Sequence, residues 1–206
     1  MDLKSTYNKI ARDWMEDHRG DTWWMDGTDA YLSFLEPGAS ILDVGCGSGE
    51  KAKYLVQKGF RVTGIDFSEA MIALAREQVP TGTFFVKDIK EPLGLENVFD
   101  GIFAQAVLLH FPKKEIANVL KHITASLKSG GYVYIAVKEL GPDHQEEKIV
   151  KEDDYGYAYE RFFSYFTFDE LKKYMTDMGM KLVYEKRASS GETHWIQVVA
   201  NKPWNA

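Results

Sequence analysis

The sequence predicts an α/β protein: a doubly wound, mostly parallel seven-stranded sheet with a C-terminal antiparallel hairpin. Three observations predict it. Short apolar runs alternate with helical segments between residues 40 and 137, a glycine-rich loop follows the first run, and the last two runs have no helix between them. At 206 residues, with 45% hydrophobic and 27% charged residues, the chain is long enough for one well-buried core and reads as a single domain. Its expected parts are a helical cap (1–36), a cofactor-binding core (37–139), an insertion or lid (140–166), and a closing helix and hairpin (167–206).

Each element has a local reason. Leu3, Tyr7, Ile10, Ala11 and Trp14 share one face of a helix over 2–18, and a second helix covers about 25–36. Pro37-Gly38 breaks the chain before the first strand, 40–44. After the glycine loop, Ala52, Leu55 and Val56 mark a helix that stops at Gly59, and 60–65 alternates as a strand. Ser68 and Glu69 start the next helix: the hydroxyl accepts an orphan amide and the carboxylate matches the positive helix end. Residues 83–86 and 99–104 are strands. Pro112 opens a helix with Ile116, Val119, Leu120, Ile123 and Leu127 inward, closed by Gly130-Gly131 ahead of a strand over 132–137. Thr167 to Glu170 reads as a capping box stapled by Phe166 and Leu171, on a helix ending at Gly179. Strands over 181–186 and 194–200 then pair around 189–192.

Composition narrows the function. The single cysteine, Cys46, allows no intrachain disulfide and points to a reducing, cytoplasmic setting. No apolar run approaches the ~18 residues of a membrane span, and no signal-like segment opens the chain, so no membrane partner is expected. A net charge of −6 gives no general attraction for phosphate backbones, so nucleic acid is not the expected partner. No spaced His, Cys or Asp cluster suggests a metal. Composition says nothing of oligomeric state.

In open α/β sheets, ligands bind beyond the carboxyl ends of the strands, where strand order reverses. Three successive strand ends carry Asp43, Asp66 and Asp88, and Gly45, Gly47 and Gly49 follow the first. A dinucleotide site wants G-x-G-x-x-G with pyrophosphate at the helix start. Here the third glycine falls one place early and Glu50 would repel a diphosphate. Asp43 suits a cationic ammonium instead, Asp66 can accept two ribose hydroxyls, and Asp88 lies where an adenine amino group could donate. The set favours a nucleoside with a positively charged amino-acid tail.

Residues 41–49, 62–68, 85–89, 99–104 and 127–132, in that order, resemble the class I S-adenosylmethionine-dependent methyltransferases of small-molecule type. The resemblance implies a Rossmann-like methyltransferase fold and S-adenosylmethionine as cofactor. It implies that Gly45 and Gly47, with Gly49 closing the loop, face the methionine part and that Asp66 binds the ribose. Phe67 or Met71 would pack on adenine, Asp88 with Ile89 would read its edge, and Gln105-Ala106-Val107 would border the sulfonium. Tyr7 and Trp14 resemble aromatic residues that close over the cofactor, with core packing as the competing reading. Cys46 reads as a small packed loop residue.

The segment after the fourth strand, 105–108, lacks the polar-Pro-Pro-aromatic tetrad of DNA amino-methyltransferases, so a small-molecule acceptor is expected. His110 lies near the expected methyl as a candidate general base, against the alternative of a loop residue bonded to backbone. The first part of the insertion is acidic (Asp143, Glu146, Glu147, Glu152, Asp153, Asp154) and reads as a solvated, mobile surface. Eight aromatic residues then fall within 155–168, several times the chain's 14% average, so part of them should wall an acceptor pocket. The candidates are Tyr157, Phe162, Phe163 and Tyr165, with Trp23 and Trp24 from the cap. Two rivals stay open: a catalytically silent S-adenosylmethionine-binding subunit or sensor, and a nicotinamide-dependent oxidoreductase disfavoured by Glu50.

Overall fold

The structure, a computed structural model, describes residues 2–142 and 145–204; Asp143, counted above with the acidic segment, lies outside the described residues. In chain order the elements are α1 (Leu3–Asp17), α2 (Met25–Leu32), β1 (Ser40–Val44), α3 (Glu50–Gln57), β2 (Arg61–Asp66), α4 (Glu69–Gln78), β3 (Thr83–Val86), β4 (Phe99–Gln105), α5 (Lys113–Thr124), β5 (Leu127–Lys138), β6 (Glu147–Glu152), β7 (Tyr159–Ser164), α6 (Phe168–Asp177), β8 (Lys181–Ser190) and β9 (Thr193–Asn201). The main sheet runs β3-β2-β1-β4-β5-β9-β8. Its first five strands are parallel, and β9 lies antiparallel between β5 and β8. Strand order reverses between β1 and β4, which opens the crevice expected of such sheets.

The strand period of two sorts the core into two layers. Leu42, Val44, Ile102, Ala104, Val133 and Ile135 face α5 and α6. Ile41, Phe103, Tyr134 and Ala136 face α2, α3 and α4. A third cluster joins α1 to α4 through Tyr7, Ile10, Ala11, Met71 and Leu74, with Tyr159 of β7 added. The helix starts follow their sequence signals: Ser68 Oγ accepts from the Met71 amide at 3.1 Å, and Thr167 Oγ1 from the Glu170 amide at 3.2 Å.

Four expectations change. The helix expected to run to Gly130 stops at Thr124, where the Thr124 and Ser126 hydroxyls donate to the Leu120 and Ile123 carbonyls. Leu127 therefore starts β5, opposite Phe99, instead of lining a helix. The Glu170 carboxylate does not reach back to complete the capping box; it pairs with Lys113 at 2.5 Å. Within the acidic half of the insertion, Glu147–Glu152 form strand β6, hydrogen-bonded along its length to β7, while Glu146, Glu147, Asp153 and Asp154 are exposed as expected of a solvated surface. The residues of β6 alternate between exposed and half-buried, and the Glu152 carboxylate grips Arg161 of β7 through Nε at 2.6 Å and Nη2 at 2.5 Å. Finally, β8 continues to Ser190, so the hairpin tip reaches further than the expected loop.

Candidate active site

Two cavities meet over the carboxyl ends of β1 and β4. One, of about 320 Å³, lies on the β2–β3 side and is lined by Asp66, Phe67, Asp88, Ile89, Val107 and Phe162, with α1 contributing Leu3 and Lys4. The other, of about 220 Å³, lies over β1, β4 and β5. Gly45 and His110 border both.

The glycine loop lets backbone form the shared wall. Gly45 has φ +67°, and a Cβ there would meet Val107 Cγ2 at 2.6 Å. Gly49, at φ +88°, brings the start of α3 against Ala75 of α4, where a Cβ would stand 2.9 Å from its Cα. A small void left by a missing side chain is thus filled by neighbours at both points, while a Cβ at Gly47 would only reach ordinary contact with the Trp14 ring at 3.7 Å. Ala106 is a second strained point: φ is +55° without being glycine, and its amide is tied to the Ala136 carbonyl at 2.9 Å. That kink turns the chain after β4 across the cavity floor.

Three polar atoms of residues lining the second cavity are buried without partners, Asp43 Oδ2, Gln105 Oε1 and Trp195 Nε1. Burial raises the Asp43 carboxyl to about 7, opposed by the nearby Lys51 ammonium. Asp66, raised by burial to about 6, accepts from the Ser68 amide at 2.9 Å and the Gly47 amide at 3.0 Å. Those bonds fix its carboxylate at the rim of the first cavity with lone pairs to spare. Asp88 is exposed at that cavity's edge, its Oδ1 accepting from the Lys90 amide at 2.9 Å, and Ile89 is buried beside it.

His110 holds a different place from a free base. Nδ1 lies 2.9 Å from the Phe162 carbonyl and so carries the proton; Nε2, 2.7 Å from the Tyr7 hydroxyl, accepts. Both nitrogens are committed, and burial lowers the ring to about 3. The geometry opposes general-base duty and makes His110 the brace between α1 and β7. Tyr7 and Trp14 do line the second cavity, Trp14 stacked on His18 at 4.3 Å.

The aromatic candidates divide. Phe163 and Trp23 line the second cavity, and Phe162 lines the first. Four residues are corrected. Met71 lines neither cavity, because its position on α4 points into the α1–α4 core. Trp24 packs edge-on against Tyr54 of α3. The Tyr157 hydroxyl donates to Asp13 on the outer side of α1 at 2.5 Å. Tyr165 is buried in the core with the Lys148 ammonium over its ring. The sequence reading missed Lys138, Arg161, Ser190, Thr193 and Trp195, all of which line the second cavity. Trp195 stacks on Trp23 at 4.1 Å. The signal available for Lys138 was its position at a strand's carboxyl end; for the hairpin tip there was none.

Among the described residues, no group of three or more His, Cys, Asp or Glu side chains could hold a metal ion, and no helix is long and apolar enough to cross a membrane.

An open sheet reversing at β1 and β4, a glycine loop, and acids at the ends of β1 and β2 define a nucleoside-binding α/β enzyme. The chain belongs to the methyltransferase domain family, whose profile matches residues 15–185. A putative methyltransferase YqeM of Bacillus subtilis is 33% identical over 102 residues, 47% of this chain and 41% of the relative. A trans-aconitate 2-methyltransferase of Variovorax paradoxus is 34% identical over 115 residues, 55% and 42% respectively. The chain thus spans less than half the length of these curated relatives. Among solved structures, the 1,6-didemethyltoxoflavin-N1-methyltransferase of Burkholderia thailandensis, with 1,6-didemethyltoxoflavin and S-adenosylhomocysteine bound, superposes with a TM-score of 0.78. That match covers 98% of this chain and 87% of the other at 22% identity, and it shows the shared fold.

Proposed function

We propose that the chain transfers a methyl group from S-adenosylmethionine to a small-molecule acceptor held in the aromatic-walled part of the second cavity. The observation that carries this is the pair of joined cavities with Asp43 Oδ2 buried and unpartnered at their junction with the glycine loop. A buried carboxylate oxygen without a donor is costly, and a ligand ammonium offsets that cost. The residues fit the cofactor: Asp43 and Gln105 for the amino-acid tail, Gly45 and Gly47 beside it, Asp66 for the ribose hydroxyls. Phe67, Asp88 and Ile89 take the base. Bound there, S-adenosylmethionine supplies a methyl group on a positively charged sulfur. The protein's own work is positioning: Tyr7 and Trp14 cover the tail, the Ala106 turn sets the floor, and the walls exclude water.

Calorimetry tests this. S-adenosylhomocysteine should bind and NAD should not; tighter binding of NAD would overturn the reading. Release of S-adenosylhomocysteine with pools of small acceptors then separates an enzyme from a silent binding subunit.

A further inference from the structure

The second cavity has two chemically opposite ends. Asp43 marks one, where the cofactor's tail belongs, and Gln105, opposite Ala136, lies between. Lys138 and Arg161 mark the other. Strand register measures their separation. Asp43 pairs with Phe103, and Phe103 with Tyr134, so Lys138 lies four residues further along β5 and two strands across. That is ~13 Å along the strands and ~9 Å sideways. The tail's carboxylate shares a carbon with its ammonium and so sits near Asp43, where Lys51 is the cation acting on that site. Lys138 is placed for another ligand.

The Lys138 ammonium has no ion pair or hydrogen bond among the described residues; it stands 4.0 Å over the Phe163 ring. Arg161 lies 5.2 Å from the same ring. Glu152 takes its Nε and Nη2 edge, the Tyr7 hydroxyl is a further hydrogen-bond partner, and the guanidinium lines the cavity. Two cations sharing one aromatic ring repel each other, and burial beside Arg161 lowers the Lys138 ammonium to about 8, with Lys148 adding to that and Glu152 opposing it. An unpaired half-buried ammonium facing a cavity is an arrangement that an anion stabilises. The same cavity is lined by Phe163, by Trp23 stacked on Trp195, and by Ser190 and Thr193.

We propose that the Lys138 ammonium, with the Arg161 guanidinium beside it, holds the carboxylate of an acceptor whose body is flat and apolar, so that the methyl acceptor is an organic acid. The inference rests on the methyltransferase reading and narrows it to a substrate class. Lys138 is then a specificity residue for the acceptor, with no part in cofactor binding.

The test uses the whole chain saturated with S-adenosylhomocysteine. Its lysines are acetylated with acetic anhydride at pH 8 and each site is followed by mass spectrometry. Benzoate, phenylacetate and cinnamate are compared with their amides, with exposed Lys151 as the reference. The acids should slow acetylation of Lys138 at least tenfold and the amides should not, while Lys151 is unaffected. In calorimetry, Lys138→Met should keep the affinity for S-adenosylhomocysteine and lose that for the acids, and Lys138→Arg should retain part of it. Full protection by S-adenosylhomocysteine alone, with no further effect of acids, would assign Lys138 to the cofactor and overturn the proposal. So would the absence of protection by any acid. Failure of S-adenosylhomocysteine to bind at all is a separate result, which removes the methyltransferase reading itself.

Discussion

At the scale of single residues, Asp43 and His110 titrate in opposite senses for one cause, burial. The folded Asp43 carboxyl sits at about 7 against an ordinary 3.8, so the folded chain holds a proton that the unfolded chain has lost. Its contribution to stability is present below pH 3.8 and is lost as pH rises toward 7. Asp43→Asn should therefore gain in melting temperature relative to the parent as pH rises from 5 to 8. Ligand binding reverses the sense. Pairing with an ammonium needs the ionised acid, so S-adenosylhomocysteine affinity should weaken by up to about tenfold per pH unit below 7, and Asp43→Asn should bind weakly with a flat profile. Calorimetry across pH checks both. His110 is the counter-case. At about 3 it stays neutral throughout the working range. His110→Phe should lower the melting temperature by leaving the Tyr7 hydroxyl and Phe162 carbonyl unpartnered, at about 1–3 kcal/mol each. The shape of the turnover profile between pH 6 and 8 should survive; a lost inflection near 6.5 would restore the base. Sequence showed both residues and the right neighbourhood, because Asp43 lies at the carboxyl end of β1 and His110 on the segment that follows β4. It could not show that two partners already occupy the histidine, since those come from residues 7 and 162.

Among elements, the β6–β7 hairpin separates what local pattern reveals from what it hides. The glycine loop, the Ser68 and Thr167 caps and the parallel strands are written in short stretches, and each folds as its stretch reads. The hairpin is not, because four of the six residues of β6 are charged and composition alone reads them as surface. Aromatic density had the same defect: it located a crowded region without saying which rings face inward. Tyr157 and Tyr165 follow β7's neighbours, α1 and the core, and not the cavity. The Glu152–Arg161 pair is the hairpin's internal clamp, and both side chains are largely buried, at 16% and 13% exposure. Glu152→Gln should weaken a charge-assisted pair by about 1.5–3 kcal/mol. It should also loosen Arg161 over Phe163, so the drop in melting temperature should be larger without an acceptor acid than with one.

Over the whole molecule, Cys46 offers a probe. Its thiol is buried in the second cavity's wall, and burial with Asp43 and Asp66 nearby pushes its pKa up. Labelling by a neutral-pH thiol reagent should be slow in the native protein, fast in denaturant, and slower still with S-adenosylhomocysteine. Rapid native labelling unaffected by that ligand would place the glycine loop outside the binding site.

Helix α1 borders both cavities, and it is pinned from two sides. Ser68 Oγ reaches Asn8 Oδ1 at 2.7 Å on α4, while Thr6 Oγ1 and Lys9 Nζ donate to the Glu160 and Ala158 carbonyls beside β7. A ligand seated under Tyr7 and Trp14 is therefore covered on that side by a helix that these bonds hold in place. Where exchange passes beneath the helix, departure and arrival share one opening frequency set by the protein and not by diffusion. Substitutions that cut the moorings, such as Asn8→Ala, should shorten residence time and quicken entry together, leaving affinity nearly still while the clock of exchange runs faster.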